Sequence, residues 1–390
     1  MIPMKKSKKP VLVALSAVLA MAAIALLTLY LFVRSMIAKI NIVDSAAPDL
    51  QEAFDVFMPY FDLDGYGNGL AYADNAAVYD ELIRENYDTS SAAQVSDMPL
   101  APYDEFADIE KSMQSNIANI GIKEDKNVFN ILLIGNDTRQ SGKRGRSDAM
   151  ILVSVNKKAK TITATSILRD IYLKIPGRDK SNRINAAFAY GGANLLLDTI
   201  RQNFRIQVDK YVVIDFYAFI DMVDAVGGVT VEVSDEDIPI VNGYVKEINK
   251  LTGKEPDIDC LKEAGYLLLN GKQALGYCRN RYIGSDFSRT ARQREVLEQI
   301  FNKAKKLKLS EIKELADRIL PQITTNLQEK EIISLLLSVP AYIKYDIKQA
   351  TVPVKGSYKN VNIRGMDVLV IDFVENIRFL HESLYIEKDG

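Results

Sequence analysis

From Val11 to Val33 the chain runs for 23 residues without a charged side chain. A bilayer's hydrocarbon core needs about 20 apolar residues in a helix to be crossed. In lipid the backbone must satisfy its own hydrogen bonds, so such a stretch is predicted to be a membrane-spanning helix. Lys5, Lys6, Lys8 and Lys9 precede it and only Arg34 and Lys39 follow closely. The more basic end stays in the cytoplasm, which places the rest of the chain outside. A cleaved signal peptide is the alternative, but its apolar core runs to only about 7–15 residues.

That placement governs the rest of the reading. It removes nucleic acid as an expected partner, in keeping with a pI near 5.8 and a formal charge of −2. It permits a disulfide between Cys260 and Cys278; Cys278 can equally pack as a small apolar side chain. Charge is unevenly spread. Residues 44–127 carry 18 acids and 4 bases, a net of −14, so with +6 before them the remainder is +6. The expected organisation is a basic tail over 1–9, an anchor helix over 10–33, an acidic linker or accessory segment over 34–127, and a catalytic domain over 128–390. In the acidic segment, Asp62, Asp64 and Gly67 suggest a calcium loop, but Tyr66 and Ala73 stand where ligands are needed. A glycine-rich turn is the better reading.

The one histidine, His381, and two cysteines leave no Ser-His-Asp site with a nucleophile elbow and no Cys/His zinc site. Chemistry must run on carboxylates, arginines, hydroxyls and a hard metal.

From Val128 onward, short apolar runs alternate with helical patterns. FNILLIG, AMILVSVN, TITATSIL, KYVVIDF, VTVEV and IKQATVPV read as strands. GGANLLLDTIRQNF, FYAFIDMVDAVGGV, KEAGYLLLNGKQAL, SRTARQREVLEQIFNKAKKL, EKEIISLLLSVPAYI and MDVLVIDFVENIRFLHESLY read as helices. This pattern predicts an α/β fold, a three-layer α-β-α sandwich around a central sheet. Several links are too short for parallel crossovers, so the sheet is expected to be mixed.

Asp137 closes the first strand and Asp148 opens the second. If the two pair as a hairpin, both carboxylates face one volume and suit a hard cation such as Mg²⁺, with Mn²⁺ as its substitute. The bland reading is that both cap turns. The loop between them carries Arg139, Lys143, Arg144 and Arg146. Arg169 and Asp170 follow the third strand. Arg183 and Asn185 open a helix, whose N-terminus is an anion site in waiting. YCRNRYIGSDFSRTARQR adds five arginines, with Gln293 among them, and no lysine. Arg279 and Arg281 share a face if that piece is extended; Arg289 and Arg292 share a helix face; Arg294 falls off it. Arginine grips phosphate oxygens as a fork, and a pyrophosphate offers several. The pyrophosphate-binding candidates are therefore Arg139, Arg146, Arg169, Arg183, Arg279, Arg281, Arg289, Arg292 and Gln293. The catalytic candidates are Asp137, Asp148, Arg169, Asp170 and Arg281. For any single arginine, a solvated surface is the competing reading.

GNDTR, RSDAMILVSVN, SILRD, RINAAFAYGG, VIDFYAFIDMVDAVGGVTVEV, LNGKQALGYCRNR and DFSRTARQR occur in the order seen in the LytR–CpsA–Psr family, which this chain resembles over about residues 128–307. The resemblance implies a phosphotransferase at the outer face of the membrane. It implies transfer of a glycopolymer (teichoic acid, capsule or a related wall glycan) from a polyprenyl-pyrophosphate carrier to the 6-hydroxyl of N-acetylmuramic acid in peptidoglycan. It also implies Mg²⁺ on Asp137 and Asp148, and pyrophosphate contacts from Arg169, Arg183, Arg279, Arg281 and Arg289 with Gln293 beside them. A lipid pyrophosphatase, and a sensor or scaffold that binds anionic wall polymers, are the alternatives. The general base stays open among Asp137, Asp148 and Asp170. Phe188, Leu195, Leu196, Phe204, Val212, Ile214 and Phe216 are candidates for an apolar lipid slot, with ordinary core as the competing reading.

Overall fold

The computed structural model describes residues 33–43, 111, 115–137, 145–280, 283, 286–304, 306 and 309–386. The anchor before Val33, most of the acidic segment with its glycine-rich loop, Arg139, Lys143, Arg144 and Arg281 lie outside the described residues. Among the described residues, no helix is long and apolar enough to cross a membrane.

Seven strands form one mixed sheet in the order β1-β10-β7-β2-β3-β4-β11. These are β1 (Asn41–Ile42), β2 (Val128–Asp137), β3 (Arg146–Asn156), β4 (Thr161–Ile167), β7 (Lys210–Ile214), β10 (Ile323–Thr325) and β11 (Asp346–Val352). β2 and β7 are parallel, β4 and β11 are parallel, and β3 is antiparallel to both β2 and β4. Hence β2, β4, β7 and β11 all run one way. Parallel β1 joins at the edge, against β10. Residues expected to be linker therefore contribute to the sheet.

Alternation in the strands decides which face is packed. Leu132, Ile134, Met150 and Leu152 are buried on one face against α1 (Asn185–Phe204) and α8 (Phe373–Leu384), through Leu196, Ile200, Phe204, Ile377 and Leu380. The opposite face is less closed: Ile131, Leu133, Val153, Val212 and Ile214 are all half-buried. A second core joins α2 (Phe216–Ala225), α3 (Asp237–Leu251), α4 (Gly271–Arg279) and α5 (Asp286–Ala304) to the hairpin of β8 (Val229–Val233) and β9 (Gly265–Leu269).

Three expectations are corrected. GYLLL is strand β9 rather than helix, and α4 begins only at Gly271, where Asn270 and Gln273 form a reciprocal capping box. MDVLVI is strand β13 (Met366–Ile371), paired with β12 (Tyr358–Ile363); the last helix starts after it, capped by Asp372. Val, Leu and Ile in runs of three or four fit either period, and the capping residue decides. The third correction concerns Arg279. It ends helix α4 rather than lying in an extended piece, so its alternation with Arg281 does not apply. Cys260 and Cys278 are not bonded; Cys278 is buried in the second core, and its burial pushes the thiol up to about 12.

Candidate active site

The site lies where β2, β4 and β7 end and β3 begins. That is the carboxyl edge at which open α/β sheets bind ligands. The hairpin anticipated between Asp137 and Asp148 is present, with a local irregularity. Gly135 pairs with Ala149 and Asn136 with Ser147, so Asp148 is the extra residue of a bulge. A bulge re-aims a side chain and interrupts pairing. Gly145 sits beneath it: its backbone N–H donates to Asn136 Oδ1 at 2.9 Å, and a Cβ there would meet the Asp137 carbonyl oxygen at 2.1 Å.

Arg169 follows β4 and donates from Nη1 to Asp148 Oδ1 at 2.7 Å. Its Nε lies 3.5 Å from Asp170. Arg183, on the two-residue strand β6 (Asn182–Arg183) ahead of α1, donates to the same Asp170 at 3.2 Å. On the far side, Arg279 donates to Asp137 at 3.3 Å and approaches Glu247 at 3.7 Å. Its guanidinium lies between the rings of Phe216 and Tyr244, at 4.3 and 4.5 Å from their centroids. Two aromatic faces fix its plane as well as its charge. Arg289, only 3% exposed, reaches in from α5.

The charges of these residues act on one another. Burial would raise the carboxyl of Asp148; the charges of Arg169, Arg289 and Arg279 outweigh it and hold the group well below its usual value of 3.8. Arg279 therefore acts on both aspartates. Burial pushes the guanidinium of Arg183 down; Asp170 opposes that, and neighbouring Arg146 and Arg169 add to it. Cations from β3, β4, β6, α4 and α5 thus crowd around Asp137, Asp148 and Asp170. Guanidiniums this close repel one another, and a multiply charged anion relieves the repulsion.

Other expected residues are placed differently. Arg292 bonds Asp237 at 3.1 Å and the Asn280 carbonyl at 3.3 Å, above the Tyr277 ring, and so braces α3 against α5. Gln293 donates to the Cys278 carbonyl at 3.4 Å and ties α5 to the turn of α4 that carries Arg279. Arg294, set aside on helical spacing, is half-buried and bonds Ser166, Thr351 and Gln349 on the sheet. Sequence reasoning missed Glu247, Tyr244 and Asp237, because no spacing signal links α3 to the arginine cluster.

Of the apolar slot candidates, Phe188, Leu196 and Phe204 are buried in the main core and Leu195 packs on it. Phe216 stacks on Arg279. Val212 and Ile214 are half-buried on the more open face of the sheet. His381 bonds the Arg205 carbonyl, on the α1–α8 side.

Among the described residues, no three metal-ligating side chains of His, Cys, Asp or Glu converge. The pair Asp137 and Asp148 nevertheless fits Mg²⁺. This ion is usually held by one or two ionised carboxylates plus waters and substrate phosphates, and Asp148 is kept ionised.

The LytR_cpsA_psr family model matches residues 95–377. A polyisoprenyl-teichoic acid–peptidoglycan teichoic acid transferase, TagU of Enterococcus faecalis, is 33% identical over 254 residues, 63% of this chain and 77% of that relative. Biofilm regulatory protein A of Streptococcus mutans is 36% identical over 217 residues; the match spans 52% of this chain and about half, 51%, of that relative. A solved structure of TagT bound to LI-WTA superposes with a TM-score of 0.53 at 31% identity, covering 68% of this chain and 95% of TagT. With the mixed sheet, the arginine cluster and the matched sequence in agreement, the chain belongs to the LytR–CpsA–Psr family.

Proposed function

We propose that this protein is a membrane-anchored extracellular phosphotransferase. It joins a wall glycopolymer, carried on polyprenyl pyrophosphate, to the 6-hydroxyl of N-acetylmuramic acid in peptidoglycan. The observation that carries the reading is the convergence of Arg169, Arg183, Arg279 and Arg289 on Asp137, Asp148 and Asp170 at one sheet edge. The naming of TagU as a transferase, and of TagT as bound to LI-WTA, supports it.

Phosphoryl transfer is mostly positioning and charge stabilisation, which this inventory supplies without histidine. The acceptor oxygen attacks the sugar-side phosphorus and a P–O bond forms. The bond from that phosphorus to the bridging oxygen breaks, and polyprenyl phosphate leaves with the electron pair. The product is a phosphodiester. Arg279, fixed by two rings, and Arg289 hold diphosphate oxygens as they gain charge; Arg169 and Arg183 grip the opposite side. The hydroxyl proton passes to Asp170 or water, because Asp137 would be engaged as a metal ligand. Asp148 is a poor acceptor as well, because three arginines keep it ionised. Asp137 and Asp148 would hold Mg²⁺ or Mn²⁺, which when bound would supply positive charge to offset that of the leaving phosphate. The half-buried face of Ile131, Leu133, Val153, Val212 and Ile214 is the surface suited to the lipid chain.

The test is to incubate the full chain in vesicles with a polyprenyl-diphosphate-linked glycan and peptidoglycan fragments. Glycan joined to muramic acid through a phosphodiester is expected, and is expected to vanish in Asp148→Ala. Polyprenyl phosphate released without that linkage would instead mark a pyrophosphatase. Binding without turnover would mark a sensor.

A further inference from the structure

Helix α7 (Glu329–Tyr342, EKEIISLLLSVPAY) carries Ile332, Ile333, Leu335 and Leu337 through its middle turns, yet none of its described side chains is buried. Apolar helix surface is normally covered. Lys330, Ser334, Leu337 and Ala341 are exposed and recur at the four- and three-residue steps of one helix face, and exposed Lys344 continues the line. Leu337 is 75% exposed. Half-buried Tyr342 and Tyr345 meet edge to face at the helix's end. Lysines at the ends, tyrosines near them and leucine between is the composition of a bilayer interface.

Three further observations identify lipid as the cover. Arg34, the first residue after the uncharged stretch Val11–Val33, pairs with Glu329 at the first turn of α7 at 3.4 Å. The chain therefore leaves its apolar stretch beside the N-terminus of this helix. Ile37 is buried and β1 enters the sheet four residues later, so nothing loose separates the two. Finally, β10 runs toward the N-terminal ends of β7 and β2, and β11 starts at the N-terminal end of β4. Both ends of α7 thus lie at the sheet edge opposite the arginine cluster. From β10 to β11 is five strand steps, about 24 Å at ~4.8 Å each. The 14 residues of α7 reach about 21 Å.

We propose that α7 lies flat on the outer leaflet of the membrane, with the Lys330–Leu337–Lys344 stripe in the interface. The inference rests on the anchor reading under Proposed function. The strands then stand upright from the lipid, and the diphosphate site opens away from it, about 23 Å up for a seven-residue strand such as β4. The segment between β1 and β2 becomes an excursion from a domain already seated on the membrane.

The experiment uses the full chain reconstituted in phosphatidylglycerol-containing vesicles, with Cys260→Ser and one new cysteine carrying an environment-sensitive fluorophore. One sample carries Leu337→Cys. The control carries Tyr266→Cys, at a position 77% exposed on β9. A stripe seated at the usual interfacial depth of about 5–10 Å brings the Leu337 label within reach of spin-labelled lipid and makes iodide quenching about tenfold weaker than at Tyr266. Equal iodide quenching at both positions overturns the proposal. So does a shielded Leu337 label that spin-labelled lipid fails to quench, because a protein surface then covers the stripe. If the protein washes out of the vesicles at alkaline pH, the anchor reading falls and the proposal with it. If it stays and the label is aqueous, only the proposal falls. None of these readouts depends on transfer activity.

Discussion

At the scale of single residues, two side chains offer tests of the proposed chemistry. Arg279 is held between two rings while it faces Asp137 and Glu247, so its orientation is set before any ligand arrives. Arg279→Lys keeps the charge and loses the planar fork. Transfer is expected to fall by about 100-fold, as for removal of one preorganised donor, with an unchanged circular dichroism spectrum. Asp148 gives a pH test. Its folded-state pKa lies below the unfolded value of 3.8, so its stabilisation is fully present above that value and is lost as pH falls toward the lowered one. The difference in Tm between the wild type and Asp148→Asn is therefore expected to stay constant from neutral pH down to about 5, and to shrink below about 3.8. A difference that shrinks already at neutral pH would place the pKa elsewhere.

At the scale of elements, the β2–β3 hairpin carries the most consequence. The bulge that singles out Asp148 depends on Gly145 passing under Asp137, where a methyl group has no room. Gly145→Ala is expected to abolish most transfer while changing Tm by only a few degrees, since the displaced backbone is at the rim. Transfer assays beside thermal melts check this. The hairpin was legible in the sequence because FNILLIG and AMILVSVN are strong apolar runs flanked by Asp and Gly. The bulge was not, since a one-residue slip leaves no mark on composition. GYLLL and MDVLVI were misread because short apolar runs fit both periods, and only Asn270 and Asp372 mark where helix begins. Arg292 and Arg294 show the limit of helical spacing. It placed Arg292 with Arg289, but Asp237 from α3 claims it; it set Arg294 aside, but Ser166 and Thr351 receive it. Which partner wins is a tertiary question.

At the scale of the whole molecule, one sheet direction organises function. β2, β4 and β7 deliver Asp137, Arg169 and the Phe216 ring to one edge. The second core, built by α2 to α5, brings Arg279 and Arg289 to the same edge across more than a hundred residues of sequence. Charge composition forecast a basic module; only the fold shows that its arginines meet three aspartates rather than solvent. The central claim is that this cluster holds a diphosphate. Its most direct test is a titration of the full chain, in detergent with Mg²⁺, with polyprenyl diphosphate and with the matching monophosphate, by calorimetry. The account predicts that the diphosphate binds at least about tenfold more tightly, and that Arg279→Ala removes the preference, since a forked, charge-assisted grip on a second phosphate is worth at least about 1.4 kcal/mol. Equal affinity for the two lipids, or a preference untouched by Arg279→Ala, would contradict it.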